Sequence, residues 1–153
     1  WTGKALNPAV TVKDGNVTLK KDRDYTVSYS ANKGIGTAKV TVTGKGSYTG
    51  KITKTFKINP QGQSVSAKGD KSGKKIAVTL AKHSSNSGYQ VSYADNSGFK
   101  NSKSLWLSGN SKNKGTIKGL KSKKTYYVKA RDYKTIGKTK VYGKWSAVKK
   151  VSI

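Results

Sequence analysis

The chain of 153 residues carries 32 lysines and arginines against six acidic residues, a formal net charge of +26. It has no cysteine, which excludes disulfides, zinc–thiolate sites and thiol nucleophiles. No apolar run approaches the roughly 18–20 residues of a membrane-spanning helix. Such a charge attracts polyanions: nucleic acid, sulfated glycans, anionic wall polymers or acidic membranes. The alternative is a charged surface that only keeps the protein soluble.

The first 59 residues alternate apolar and polar side chains in short runs separated by turns. Tyr25, Val27 and Tyr29 share one face of a run, and Ala38, Val40 and Val42 share a face of the next. Turn residues such as Asp and Gly lie between the runs, and no run has helical periodicity. The pattern predicts a small β-sandwich.

The segment 59–64, Asn-Pro-Gln-Gly-Gln-Ser, is the predicted boundary between two domains. Pro60 cannot donate to a strand ladder, and Pro-Gln-Gly favours a turn or extended chain. We therefore predict a domain at 1–59, a short linker at 60–63 and a second domain at 64–153. Ten lysines, one arginine and three aspartates give the first part +8, whereas 20 lysines, one arginine and three aspartates give the rest +18. If a polyanion binds, the second domain is the favoured site.

After the linker, short strand-like runs continue to the end of the chain. Seven are predicted, at 64–68, 75–82, 89–94, 104–107, 116–118, 125–133 and 141–153, the last one interrupted. Short strands at this spacing predict a second sandwich. The expected fold is thus all-β, with two tandem β-sandwich domains.

The run 125–133 carries both a core face and a candidate binding face, since successive strand side chains point to opposite sides. Tyr126, Val128 and Ala130 form the predicted core face. The outward face places cations between aromatic rings, which suits phosphate or sulfate groups and stacked sugars. Ordinary cross-strand pairs of Tyr and Lys would give the same pattern. The predicted ligand-binding residues are Tyr127, Lys129, Arg131, Tyr133, Tyr142, Lys144 and Trp106.

Trp106 and Trp145 are expected to have different roles. Leu105 and Leu107 share one face, so Trp106 takes the opposite face and is exposed if the leucines are core. Trp145 is expected to be structural and to cover the end of the sandwich.

Catalytic chemistry is poorly supported by the sequence. The single histidine, His83, lies in a loop-like stretch without the strained turn of a nucleophile site. Asp22 and Asp24 are the only close pair of carboxylates, and they fit a turn. The acidic residues are scattered, and the positive charge repels cations. We predict no enzyme activity, no catalytic residue, no metal site and no cofactor.

Two resemblances sharpen the fold prediction. The motifs WTGKAL and DYTVSYSANKGIGTAKVTVTGKGSYTGKITKTFKI resemble the bacterial Ig-like repeats of Gram-positive surface and secreted proteins. The five residues between Leu120 and Tyr126 resemble the tyrosine corner of fibronectin type III domains. The segment 88–93 is similar to the central strand of that fold, and YGKWS at 142–146 resembles the turn before its last strand. The early strand 76–80 lacks the tryptophan frequent there, and Leu80 is the expected occupant of that core position.

The resemblance implies a non-catalytic attachment module of an extracellular, secreted or wall-associated protein. The expected partner is an anionic polymer such as wall teichoic acid or host glycosaminoglycan, or a host surface glycan or protein. The alternatives are a spacer that presents a catalytic or adhesive domain elsewhere, and a carbohydrate-binding accessory of a secreted glycan-degrading enzyme. Specific nucleic-acid binding is disfavoured because lysine dominates over arginine and no recognition motif occurs.

Overall fold

The computed structural model describes every residue from Trp1 to Ile153, and its regular elements are all strands. The predicted all-β class is therefore confirmed. The chain forms two compact units, Trp1–Ile58 and Asn59–Ile153. No helix capable of spanning a membrane is present.

The first unit contains a short hairpin and a three-stranded antiparallel sheet in the order β3-β4-β5. Its strands are β1 (Lys13–Asp14), β2 (Val17–Thr18), β3 (Tyr25–Ser30), β4 (Gly36–Gly44) and β5 (Lys51–Ile58). Gly15 turns the β1–β2 hairpin with a left-handed φ of 55°.

One face of the three-stranded sheet is covered by the N-terminal segment. The phenol of Tyr29 donates to the carbonyl of Pro8, and that of Tyr25 donates to Val10 at 3.4 Å. Tyr25, Ala38 and Ile58 are buried on this face. The alternation in β3 and β4 thus places its apolar side under residues 1–12, which form no long strand of their own.

The carboxylate of Asp24 fixes the turn before β3. It accepts hydrogen bonds from Arg23 Nε at 2.8 Å and from the Lys20 backbone N–H at 2.8 Å. The bond from Arg23, followed by that from Lys20, lowers the pKa of Asp24 from 3.8 to about 2. A lowered folded-state pKa contributes stability that is present above the unfolded pKa and lost as the pH falls.

We therefore expect Asp24 to stabilise the first unit at pH 5 and to lose this contribution between about pH 4 and about pH 2. Thermal unfolding of the full chain across this range measures the effect. Asp24→Asn is expected to unfold at lower temperature at pH 5 and to show a shallower loss on acidification. Asp14→Asn, which changes an exposed carboxylate, is the matched control. An unaltered pH profile in Asp24→Asn would contradict the assignment.

The second unit is built from two antiparallel sheets. Its strands are β6 (Val65–Asp70), β7 (Lys75–Leu80), β8 (Gly88–Ala94), β9 (Lys103–Ser108), β10 (Lys114–Ile117), β11 (Thr125–Ile136), β12 (Thr139–Tyr142) and β13 (Lys149–Ser152). The smaller sheet has the order β10-β7-β6, and the larger has the order β12-β11-β8-β9. Strand β13 pairs with the start of β11 and β12 with its end. The interruption predicted within 141–153 lies between Tyr142 and Lys149.

The core of the second unit lies between these two sheets. Ile76, Val78 and Leu80 alternate inward from β7, and Tyr89 and Val91 meet them from β8. Leu80 is buried, as predicted for the position that lacks a tryptophan. The inward face of β11 adds Tyr126, Val128 and Ala130, which confirms the predicted core face of that strand.

A tyrosine corner lies at the start of β11. The backbone N–H of Lys121 donates to the Tyr126 hydroxyl at 2.9 Å, and Leu120 is buried beside it. We expect Tyr126→Phe to lower the free energy of unfolding by about 1–2 kcal/mol, because the part-buried N–H loses its acceptor. Urea unfolding measures this change. Tyr127→Phe is the control, since that hydroxyl has no hydrogen-bond partner, and equal effects in both variants would contradict the corner's role.

Residues 60–63, the predicted linker, belong to the second unit. Pro60 and Gln63 are buried, and the Gln63 amide donates to Ala81 O at 3.1 Å and to Asp132 Oδ1 at 2.6 Å. Its Oε1 accepts from the N–H of Ala81 at 2.9 Å. A Cβ at Gly143 would lie 2.4 Å from Gln61 O, so only glycine permits the segment to lie this close. These hydrogen bonds hold residues 60–63 against the second unit, since a buried glutamine amide needs partners for its polar atoms.

Candidate functional site

The outer face of the larger sheet brings together most of the predicted binding residues. Arg131 lies opposite Gln90, and Gln90 lies opposite Trp106 on β9. Tyr133 lies opposite Tyr142 on β12. The register therefore places residues from four adjacent strands on one surface.

Arg131 occupies the centre of this surface. Its guanidinium carbon lies 3.7 Å from the ring centroid of Tyr142 and 4.3 Å from that of Trp145. Its Nε donates to Gln90 Oε1 at 2.8 Å. Desolvation lowers the pKa of Arg131 below its ordinary value. Both rings lie close to the guanidinium carbon and Nε is already bonded, so the two terminal nitrogens remain for another partner.

Lys129 extends the arrangement along β11. Its Nζ lies 3.9 Å from the centroid of Phe99 and 5.0 Å from that of Trp145. Trp145 is thus shared by two cations. We call this alternating row the aromatic–cation ladder, and its members are Phe99, Lys129, Trp145, Arg131 and Tyr142.

A second aromatic pair lies beside the ladder. The rings of Trp106 and Tyr133 meet edge to face, with centroids 5.5 Å apart. Lys140 Nζ lies 5.5 Å and 5.6 Å from these two centroids. Trp106 is 43% exposed, as predicted from the inward direction of Leu105 and Leu107.

Tyr133 differs from the prediction. It lies on the outward side of β11 but is only 5% exposed, because Trp106 covers its ring. Gly88 lies opposite, where a Cβ would come within 2.7 Å of the Tyr133 hydroxyl. Tyr133 is therefore a buried support for Trp106, and a ligand on this face meets Trp106 first.

The other predicted residues lie at the edges of the surface. Tyr127 is half-buried opposite Ala94, outside the row of stacked rings. Lys144 is exposed, and its ammonium group contacts no ring. Five of the seven predicted residues therefore lie together on the outer face: Lys129, Arg131, Tyr133, Tyr142 and Trp106.

Two members of the ladder, Trp145 and Phe99, were not predicted from the sequence. Trp145 was expected at the end of the sandwich, but it lies over Lys129 and Arg131 on the outer face. Phe99 lies in the loop between β8 and β9 with a left-handed φ of 56°. Strand alternation does not extend to a loop residue, so no sequence signal indicated its contact with Lys129.

His83 lies in the loop between β7 and β8, as predicted, and its side chain contacts a buried carboxylate. Its Nδ1 is 2.7 Å from Asp132 Oδ2, and Asp132 is 1% exposed. The other oxygen of Asp132 accepts from Gln63 at 2.6 Å. No hydroxyl is hydrogen-bonded to the second ring nitrogen of His83, and no cluster of three metal-ligating side chains occurs. The contact ties β11 to the segment at Gln63.

The comparisons with known proteins concern the fold. No family model and no curated protein matches the chain. Among solved structures, 85 chains match. One of them, the FN1–FN3 domains of chicken CNTN1, has a TM-score of 0.52 and 19% identity over 76% of this chain. The fold is fibronectin type III-like. The match spans 42% of the chicken chain, less than half its length.

Proposed function

We propose that this chain is a non-catalytic extracellular attachment module that binds anionic polymers through its second unit. The first unit would be a bacterial Ig-like repeat and the second a fibronectin type III domain of a Gram-positive secreted or wall-associated protein. The short antiparallel sheet of the first unit and the tyrosine corner of the second support these assignments.

The uncompensated charge of the second unit carries the proposal. Among its 20 lysines, only Lys75 pairs with a carboxylate, that of Asp70 at 3.3 Å. Asp132 is buried with His83 and neutralises no lysine. The remaining ammonium groups therefore attract polyanions without first breaking an ion pair.

The aromatic–cation ladder gives this surface a fixed central region. Arg131 and Lys129 are held between rings and present less of their charge than free side chains do. Trp106 and Lys140 are the exposed neighbours. We assign long-range attraction to the free lysines and a smaller, selective contact to Trp106, which can stack on a sugar ring.

The test is binding of the full chain to heparin, teichoic acid and a neutral glucan across a salt series. We expect the logarithm of the affinity for both polyanions to fall linearly with the logarithm of the salt concentration, as released counterions require. We expect no measurable binding to the glucan. Trp106→Ala, which leaves the charge unchanged, is expected to lower polyanion affinity about tenfold, or 1.4 kcal/mol.

The control is Val148→Ala, which removes another exposed apolar side chain of the same unit. Each variant is checked by urea unfolding, since Trp106 covers Tyr133. Absence of polyanion binding at low salt would exclude the attachment function. Glucan binding lost in Trp106→Ala would instead indicate a carbohydrate-binding accessory.

A spacer that presents another domain is the second candidate. It is supported by the contacts of Arg131 and Lys129, whose charges are already occupied by rings within the protein. A spacer predicts salt-sensitive polyanion binding that Trp106→Ala and Val148→Ala leave equally unchanged.

A further inference from the structure

A cleft opens at one end of the second unit, beside the loop between β8 and β9 that carries Phe99. It has a volume of about 350 Å³ and lies where β8 ends, β9 begins and the tyrosine corner crosses between the sheets. This volume lies within the range of about 300–1,000 Å³ typical of small-molecule sites. Its lining residues are Tyr93, Ala94, Asp95, Asn101, Lys103, Lys118, Gly119, Leu120, Lys121 and Tyr126.

Three lysines and one carboxylate border the cleft. Lys103 begins β9, whereas Lys118 and Lys121 lie in the connection between β10 and β11, and none of their ammonium groups has a partner. Asp95 faces the same space, and its only hydrogen bond is a long one of 3.4 Å from Asn96. The net charge of the rim therefore favours an anion, and the carboxylate adds a hydrogen-bond acceptor.

The floor of the cleft is aromatic and apolar. Tyr93 is half-buried and packs against the core, and its hydroxyl has no partner within the protein. The Tyr126 hydroxyl accepts the Lys121 N–H and still has a proton to donate. Leu120 closes the inner side. A ligand here meets ring surface and hydroxyl groups as well as charge.

We propose that this cleft binds one anionic sugar residue, a sugar ring that bears a carboxylate, sulfate or phosphate group. The lysines receive the anionic group, Tyr93 lies against the ring, and Asp95 accepts hydrogen bonds from the sugar hydroxyls. A bare inorganic anion would be repelled by Asp95 and would make no use of the ring face of Tyr93. The inference deepens the proposed function, on which it rests, by naming the site where one unit of the polymer is held.

The test is a titration of the full chain, followed by backbone amide NMR shifts. The probes are glucuronate, glucose 6-sulfate and glucose 6-phosphate, with glucose as the neutral control and inorganic phosphate as the bare anion. We expect saturable shifts at residues 93–95, 101–103 and 118–121 with the charged sugars, and at least tenfold weaker binding of glucose and phosphate. The relative affinities of the three charged sugars show whether the cleft prefers a carboxylate, a sulfate or a phosphate.

Matched variants separate the cleft from general charge. Lys103→Gln with Lys118→Gln is expected to weaken binding of the best sugar at least tenfold, since each lost cation is worth a few-fold in affinity. Lys112→Gln with Lys138→Gln removes the same charge from exposed positions elsewhere and is expected to change it less than twofold. Asp95→Asn is expected to weaken sugar binding several-fold, whereas it would strengthen a bare-anion site.

The outcomes distinguish the cleft from the attachment function. Shifts scattered over the lysine-rich surface, or equal effects of the two double variants, would overturn the assignment of sugar binding to the cleft. Neither outcome contradicts polymer binding by the lysine-rich surface. Stronger binding in Asp95→Asn would overturn the sugar assignment. If the wild-type chain binds no polyanion but the charged sugars still shift the cleft amides, the proposed function is overturned and the cleft is not.

Discussion

Asp132→Ala is expected to lower the free energy of unfolding of the second unit by about 3 kcal/mol or more. Asp132 is 1% exposed and accepts one hydrogen bond from Gln63 Nε2 and one from His83 Nδ1. Alanine leaves one N–H of the buried Gln63 amide and the part-buried ring N–H of His83 without this acceptor, and each unsatisfied buried group costs about 1–3 kcal/mol. It also removes the contact that joins the middle of β11 to the segment at Gln63.

Urea unfolding followed by tryptophan fluorescence measures this change, because Trp106 and Trp145 both lie in the second unit. A lower midpoint with an unchanged slope is expected, since the compactness of the two states is preserved. Asp95→Ala removes an exposed carboxylate from the same unit and is expected to change stability by less than about 0.5 kcal/mol. A loss of under 1 kcal/mol in Asp132→Ala would contradict the role of this contact.

Arg131→Ala is the second large effect, with an expected loss of about 2–3 kcal/mol. The guanidinium contacts the rings of Tyr142 and Trp145, and its Nε donates to Gln90 Oε1 at 2.8 Å. A part-buried cation–π contact is worth about 1–2 kcal/mol, and a charged hydrogen bond about 1.5 kcal/mol or more. Without Arg131, the two rings lose the group that holds them against the sheet.

Arg131→Lys tests whether shape or charge matters. Lysine keeps the charge but lacks the flat guanidinium that contacts the two rings. We therefore expect Arg131→Lys to retain less than half of the stabilisation that Arg131→Ala removes. Lys144→Ala removes an equal charge without a ring contact and is expected to be nearly neutral by urea unfolding. If Arg131→Ala lowers polyanion affinity far more than Lys144→Ala while the protein remains folded, the terminal nitrogens of Arg131 contact the ligand directly.

Alternation in the sequence predicted the strands and the side to which each residue points. It gave the inward direction of Tyr126 and Val128 and the outward direction of Trp106 correctly, because the two-residue period is a property of the backbone. The corner was expected because the spacing of Leu120 and Tyr126 resembles that of fibronectin type III domains, and the Tyr126 hydroxyl does bond the backbone at Lys121.

Alternation does not predict what covers an outward side chain. Tyr133 is buried because Trp106, 27 positions earlier, is brought over it by the pairing of β9, β8 and β11. The ladder likewise depends on Phe99 from a loop and Trp145 from the interruption before β13. Contacts between segments distant in sequence follow from the register of the whole sheet, which no single run of residues encodes.

The contacts of the segment at 60–69 have a mechanical consequence. Gln61 lies against Gly143, and Gly69 lies against Ser152, whose carbonyl oxygen would be 2.9 Å from a Cβ at Gly69. The two terminal stretches of the second unit therefore run side by side in the same direction. A tensile load applied at the two ends of this unit pulls them past each other lengthwise, so their contacts resist together instead of opening one at a time.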